Sequence, residues 1–347
     1  MYSINIVKRV GVPRLIISSF LLLLLVTAIV QGQNIARLFS DVLVRFGMNL
    51  PLGLAMIPSV MCGAGMNFGL SIGILSGILG GLISIELGFR GMFGIIMALV
   101  ISVPISSLVG YLYGKLLNAV KGSEMVVGTY IGYSVVSLMS IGWLLMPFKD
   151  PNMVWPIAGK GLRTTIALSN NYDGILNSLL SFRLVGVRIP TGLLLFGILV
   201  CASIWLFSRS KSGISIKVAG ANPRFAIITG ISVNQARILG TVISTLLGAV
   251  GIVIYAQSFG FYQLYQAPLN MAFSPVAAAL LGGASTKSIK IFHVVLGTFL
   301  FQALLTIALP VANLIMPEGN LSEVVRIIVS NGVILYALTQ AGGSSND

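Results

Sequence analysis

The chain has 347 residues, of which 56% are hydrophobic and only 8% are charged. A soluble domain carries about 25% charged residues, and one soluble core could not hide so much apolar surface, so the composition excludes an ordinary soluble protein. The net charge of +13 does not indicate nucleic-acid binding, because the basic residues punctuate apolar segments and do not cluster with aromatic residues on a polar face.

The apolar segments predict membrane helices, each of which needs about 20 largely apolar residues. The first has a basic front like a signal peptide, but no A-x-A-like cleavage site follows, so we interpret it as a retained helix. Ten spans are predicted, near 14–31, 44–61, 66–85, 91–113, 125–146, 190–208, 238–257, 269–284, 291–309 and 324–339. Counts of about eight to eleven are compatible with the same pattern. The predicted fold is an all-α polytopic membrane protein with a single transmembrane domain over 1–347.

The charge distribution predicts the orientation of these spans. With ten spans and the N-terminus in the cytoplasm, the inside segments hold twelve basic and two acidic residues, and the outside segments nine and six. Basic residues favour the inside loops, so both termini are predicted to be cytoplasmic. The long loop 147–189, which we call the outer loop, is then external and is expected to form a cap that contains some short secondary structure. The loop 209–237 is cytoplasmic, with five basic residues and no acidic one.

Small residues in the third span predict close helix packing. Glycine recurs there every four residues, at Gly65, Gly69, Gly73, Gly77 and Gly81. This spacing puts the glycines on one helix face, where a neighbouring backbone can come close. The same pattern recurs more weakly at Gly240, Ser244 and Gly248. Asn67 and Ser71 share the span, and polar groups at membrane depth face the protein interior or a wet cavity. The segment CGAGMNFGLSIG is therefore also predicted to begin as a broken helix that lines a path.

The sequence contains no motif for catalysis. GxxxxGK[ST], HExxH, GxSxG and paired-carboxylate clusters are absent, so no catalytic residue and no nucleotide cofactor is assigned to this chain. Cys62 and Cys201 lie inside apolar segments, and His293 has no Cys, Asp or Glu near it in sequence, so neither a disulfide nor a metal site is predicted. No membrane carboxylate is apparent, which argues against a proton- or sodium-coupled transporter.

We call the loop 209–237 the inner loop. Within it, the stretch KVAGANPRFAIITGI from Lys217 to Ile231 predicts a short helix over 223–229. Asn222 is a good N-cap, and Pro223 fits the first turn, where its missing N–H is not needed. Gly230 suits the position after the helix, where the backbone φ can be positive.

This stretch resembles the coupling loop of the membrane permease subunit of bacterial ATP-binding-cassette importers. The similar branch serves simple sugars such as ribose, galactose and arabinose, and branched-chain amino acid and nucleoside permeases are more distant. The matching residues are Gly220, Asn222, Pro223, Ala226, Gly230 and Ile231. The later AFSPVAAALLGGAS and the NGVIL of the last span are also similar. The chain departs from the family after Gly282-Gly283 and in lacking an acidic residue before Leu70-Ser71, which leaves the substrate open.

The resemblance implies a set of partners. The six matching residues would contact the ATPase, and two ATP-binding-cassette ATPase domains would carry the ATP and Mg. A second permease subunit, identical or paralogous, would complete the path in the bacterial inner membrane, and an extracytoplasmic solute-binding protein would deliver a monosaccharide or similar small polar solute. The alternatives are a nucleoside, an amino acid or a signalling sugar as cargo, a secondary transporter that works alone, a scaffolding membrane protein, and an ordinary basic inner loop.

Polar and aromatic residues near the predicted span ends and in the third span are candidates for the solute path. They are Asn67, Ser71, Gln257, Tyr262 and Asn270. For each of them, helix packing or loop structure explains the residue equally well.

Overall fold

Long apolar segments bounded by glycine, proline and charge form the helices of this protein. The computed structural model describes residues 12–155 and 161–315, together with the helical positions 327, 328, 331, 332 and 335. The helices are α1 Val12–Val30, α2 Ile35–Leu54, α3 Met56–Met61, α4 Leu70–Glu86, α5 Gly91–Ala119, α6 Glu124–Leu145, α7 Ile175–Ser178, α8 Thr191–Arg209, α9 Lys211–Ala221, α10 Pro223–Ile228, α11 Val233–Phe259, α12 Ala267–Leu281 and α13 Ile291–Ile315. The strands are β1 Thr165–Ala167, β2 Phe182–Leu184, β3 Val187–Ile189 and β4 Phe261–Gln263.

The prediction of an all-α polytopic membrane protein is confirmed. Within the described ranges, six segments are long and apolar enough to cross a membrane: Ile35–Met61, Gly91–Ala119, Glu124–Leu145, Thr191–Arg209, Val233–Phe259 and Ile291–Asn313. Three shorter apolar helices, Ile17–Val30, Leu70–Glu86 and Ala267–Leu281, lie at three further predicted spans. The tenth predicted span, 324–339, lies outside the described residues except for five helical positions. The count of ten and the location of the termini stay predictions.

The third span begins with a break, as the sequence predicts. Residues 62–69 form no helix, and Gly63 and Gly65 have φ angles of +78° and +76°, which favour glycine. The prediction that five glycines share one helix face is wrong, because the helix starts only at Leu70. Gly65 therefore lies in the break and Gly69 is the N-cap.

Gly73 and Gly77 of α4 form a close seam with α11. A Cβ atom at Gly73 would lie 2.3 Å from the Thr245 carbonyl oxygen, and one at Gly77 would lie 2.4 Å from the Ala249 carbonyl oxygen. From the other side, a Cβ at Gly248 would lie 3.5 Å from the Gly73 Cα. Backbone meets backbone along this seam, which provides the van der Waals contact that drives helix association in lipid.

Hydrogen bonds join the loops into two groups at opposite ends of the helices. At one end, Asn118 donates to the Asn234 carbonyl (2.9 Å) and Lys121 to its side-chain oxygen (2.8 Å). At the other end, Glu86 accepts from the Lys149 backbone N–H (3.0 Å), and β1 pairs antiparallel with β4. The loops predicted to lie on one side of the membrane are thus neighbours. Which end faces the cytoplasm rests on the charge distribution.

Both long loops contain more structure than a simple connection. The outer loop holds β1, the β2–β3 hairpin and α7, in agreement with the predicted cap. The inner loop, predicted to hold one short helix, holds two. Helix α9 begins after Ser210, whose hydroxyl accepts from the Gly213 N–H at 3.2 Å and so satisfies an N-terminal donor.

Candidate solute path and coupling helix

A cavity of about 360 Å³ lies at the end of α11 nearest the outer loop, and we call it the outer cavity. It offers aromatic faces, two amides and one guanidinium to a ligand. Its lining residues are Arg45, Ile252, Tyr255, Phe259, Phe261, Tyr262, Gln263, Ala267, Asn270 and Met271. Within the described part of the chain, no three His, Cys, Asp or Glu side chains are placed to hold a metal ion. The aromatic rings, amides and guanidinium of the lining offer stacking and hydrogen bonding to a ligand.

Two further cavities adjoin the outer cavity. One of about 440 Å³ shares Gln263, Ala267 and Asn270 with it and reaches Thr164 and Thr165 of the outer loop. This second cavity continues the outer cavity toward the cap. A third cavity, of about 430 Å³, lies between α2 and α13. It is separated from the outer cavity by a wall of residues that line both of these cavities.

Arg45 and Phe259 form that wall. The guanidinium carbon of Arg45 lies 5.5 Å from the centroid of the Phe259 ring. This distance is within the range of a cation–π contact. The sequence reasoning missed both residues. A charged residue inside the predicted span 44–61 was the available signal, since charges at membrane depth are costly and mark paths.

Two of the five predicted path residues lie at the outer cavity. Asn270 is exposed there and also lines the neighbouring cavity. Tyr262 is buried, with its hydroxyl 3.2 Å from that of Tyr172. Burial raises the pKa of both phenols above the usual value of 10.0, so both are neutral hydrogen-bonding groups.

Asn67 and Ser71 lie elsewhere, beside the break before α4. The Asn67 amide donates to the Ser244 hydroxyl at 2.8 Å, and Ser244 donates to the Ala55 carbonyl at 2.7 Å. Tyr113 donates to the Asn67 carbonyl oxygen at 3.3 Å. Ser71 is buried near α6, where a Cβ at Gly132 would lie 3.4 Å from its hydroxyl. In this arrangement Asn67 fastens the broken segment to α11 and α5.

Gln257 fastens the outer cap to α11. Its side-chain oxygen accepts from the Leu176 N–H at 3.2 Å, and its backbone carbonyl accepts from the Gly174 N–H at 2.6 Å. The side chain is fully buried. The structure therefore brings Tyr262 and Asn270 together at one cavity and distributes Asn67, Ser71 and Gln257 among packing contacts.

The local structure predicted for the stretch from Lys217 to Ile231 is confirmed. Helix α10 begins at Pro223, and the Asn222 side chain accepts from the Phe225 N–H at 3.0 Å. The helix ends at Ile228, one residue before the predicted end at 229. Gly230 has a φ of +79°, as its position after the helix requires.

Ala226 does not lie on the free face of α10, and this corrects the expectation that it contacts a partner. It is fully buried in a cluster of this chain that includes Cys62, Ile216 and Ala236. Three apolar side chains lie on the free face instead: Phe225, Ile227 and Ile228, with 53%, 66% and 84% of their surface exposed. A six-residue helix with such a face can dock on another protein.

Residues on either side of α10 fix it to the break before α4. A Cβ at Gly220 would lie 2.2 Å from the Met61 carbonyl oxygen, so only glycine fits there. The Ile231 N–H donates to the Ala226 carbonyl at 2.8 Å, and the Ile231 side chain packs against the same cluster. These contacts fix both ends of the short helix in place.

Arg237, at the start of α11, makes a second link to the same break. It donates to the Gly63 carbonyl at 3.3 Å and to Asn118 at 2.9 Å, and it forms an ion pair with Glu124. Both charged side chains are largely buried, at 11% and 14% exposure. Arg237 and Gly220 therefore both contact the break that contains Asn67.

Comparisons with known proteins give a matching family and similar relatives. A sequence profile of the family described as "Branched-chain amino acid transport system / permease component" matches residues 38–337. Two curated relatives are similar over part of the chain. The nucleoside ABC transporter permease protein NupB of Lactococcus lactis subsp. cremoris (strain MG1363) is 24% identical over 249 residues, which cover 68% of this chain and 63% of the relative. The autoinducer 2 import system permease protein LsrC of Enterobacter sp. (strain 638) is 30% identical over 188 residues, which cover 53% and 49%.

The chain thus spans between about half and two thirds of the length of these relatives, at 49% and 63%. No solved structure matches it.

Proposed function

We propose that the chain, which belongs to the branched-chain amino acid transport permease family, is the membrane permease subunit of an ATP-binding-cassette importer. The family match over residues 38–337 is the observation that carries this proposal. In bacteria, such a multi-pass protein lies in the inner membrane. The chain provides the path and the coupling surface, and it leaves ATP hydrolysis to a partner.

The coupling role rests on α10. Its exposed Phe225, Ile227 and Ile228 form an apolar surface in a loop that is otherwise basic. Exposed contiguous apolar residues favour a protein interface. Two ATPase domains would bind here and at the equivalent loop of a second permease subunit, and closure of the ATPases would move α10 and the attached break.

The cargo is a small polar solute. Amides and aromatic rings in the outer cavity suit hydroxylated rings, which agrees with a monosaccharide or a nucleoside. The similarity to NupB, a nucleoside permease, favours including nucleosides among the candidates. A solute-binding protein would release the cargo at the cap formed by the outer loop.

Reconstitution in liposomes tests this proposal. The full chain is assembled with its ATPase subunits and solute-binding protein, and uptake of radiolabelled ribose, galactose, arabinose, uridine and leucine is measured. Galacturonate and glucose 6-phosphate are included as anionic sugars, and uptake of one of these solutes should require ATP and both partners. Uptake by the permease alone under a proton or sodium gradient would contradict the proposal and establish a secondary transporter.

A further inference from the structure

We infer that Arg45 makes the outer cavity a binding subsite for an oxyanion, so that the solute carries a carboxylate or a phosphate group beside its ring. This inference rests on the proposed function, because it names the class of solute that the path admits. The three observations that support it are the position of Arg45 in a membrane-length segment, the charges around it and the groups opposite it.

Arg45 lies in the membrane-length segment Ile35–Met61 and packs on Phe259, the last residue of α11, so it lies toward the outer end of the helices. It is half-buried and lines both the outer cavity and the cavity between α2 and α13. An arginine in a membrane segment is costly in lipid, and such residues face the bundle interior or a water-filled cavity and pair there with another group. The outer cavity offers such a space to this side chain.

The charge of Arg45 has no carboxylate opposite it within the described part of the chain. The outer cavity has no acidic residue in its lining, and the described ion pairs consist of Arg237 with Glu124 alone. Asp41 lies one turn earlier on α2 and lines the other cavity that Arg45 lines, but it forms no described ion pair with Arg45. The outer cavity itself presents a guanidinium and no carboxylate, which favours an anion there.

The other lining groups are those that a ring compound with an anionic substituent requires. A guanidinium presents a planar fork of donors that matches a carboxylate or a phosphate. Tyr255, Phe259 and Phe261 pack in sequence, with centroid distances of 5.2 and 4.7 Å, and offer apolar faces to a ring. The amide of Asn270 can bind hydroxyl groups. A volume of about 360 Å³ suits a ligand of this size.

Arginine-specific labelling tests the subsite on the full-length permease in lipid nanodiscs. Separate samples contain galacturonate, its neutral counterpart galactose, glucose 6-phosphate, or its neutral counterpart glucose. Phenylglyoxal modification of each arginine is followed in each sample by mass spectrometry. Arg45 should react from water, and one of the two anions should protect it while the matched neutral sugar does not. A charge-assisted pair predicts binding of that anion about tenfold tighter or more. Arg188, exposed on β3, is the internal control and should react equally in every sample.

Two outcomes would overturn the inference. One is an Arg45 that does not react, which would mean that the cavity is closed to water. The other is equal protection, or none, by the charged and neutral sugars, as expected if Arg45 only packs on Phe259. Arg45→Gln adds a second readout. It should abolish the rise in melting temperature caused by the protecting anion, Arg45→Lys should retain part of it, and Arg188→Gln all of it.

These readouts do not depend on ATP or on partner subunits. If labelling and melting show no anion preference while the complex still imports a neutral solute with ATP, the subsite is wrong and the proposed function stands. If the anion protects Arg45 but uptake does not require ATP, the proposed function is wrong and the subsite stands.

Discussion

Replacing Gly77 with alanine should destabilise the protein by forcing α4 away from α11. The new methyl group would lie 2.4 Å from the Ala249 carbonyl oxygen, 2.8 Å from the Ala249 Cα and 2.3 Å from a methyl carbon of Ile252. Optimal separations are roughly 3.5 Å or more, so the helices must separate by about 1 Å. Backbone atoms on the opposite helix cannot rotate away as the end of a side chain can.

The expected magnitude combines two opposing effects. Overpacking a close-packed site costs about 1–3 kcal/mol, and glycine-to-alanine in a helix interior gains up to about 1 kcal/mol in propensity. The seam continues one turn earlier at Gly73, where backbone contact is equally close, so the separation also costs dispersion contacts there. The propensity gain also occurs at an open site. We therefore expect the free energy of unfolding of Gly77→Ala to be about 2 kcal/mol lower than that of a glycine-to-alanine variant at such a site.

Gly142 on α6 supplies the matched control. A Cβ there would meet only the Met139 sulfur, at 3.3 Å, which is the end of a flexible side chain. Thermal unfolding in detergent, followed by loss of monodisperse protein, should show Gly77→Ala melting several degrees below wild type and Gly142→Ala at or above it. Equal melting of the two variants would refute a backbone seam between α4 and α11.

Three other predictions concern the topology and two sets of buried contacts. In a cysteine-free background, an impermeant thiol reagent added outside should label Asn170→Cys and not Ser212→Cys, both exposed positions, and the reverse pattern would invert the topology. Asn67→Ala should cost about 1–3 kcal/mol in thermal stability, since Ser244 and Tyr113 lose a partner. Arg237→Met alone should cost about 3–5 kcal/mol, and the double variant Arg237→Met with Glu124→Leu should cost less, because no unpaired charge is left buried.

Much of the fold could be predicted because it depends on local properties of the sequence. The length of the apolar segments predicted nine of the helical segments that the structure describes. Asn222 and Pro223 at its start, and Gly230 after its end, predicted α10. The glycine spacing predicted a packing face but extended it too far. Gly63 and Gly65 adopt positive φ in a break that a regular spacing cannot reveal.

The features that the sequence did not predict depend on which way a side chain points. Helix α10 has six residues, too few for a periodic pattern to show that Ala226 is buried and Ile228 exposed. Asn67 could be recognised as a polar residue in a span, but its partner Ser244 is 177 residues away in sequence. Arg45 was not recognised as a path residue, because its direction toward the outer cavity depends on the packing of α2 against its neighbours.

A single comparison tests most directly whether α10 couples this permease to an ATPase. Ile228→Glu places a charge on the exposed apolar face of α10, and Ser212→Glu places the same charge at an exposed position of α9. Both variants should fold as wild type, because neither side chain is buried. In the purified complex, Ile228→Glu should lose ATPase co-purification and solute-stimulated ATP hydrolysis, and Ser212→Glu should keep both. Wild-type co-purification and hydrolysis in Ile228→Glu would contradict the assignment of α10 as the coupling helix.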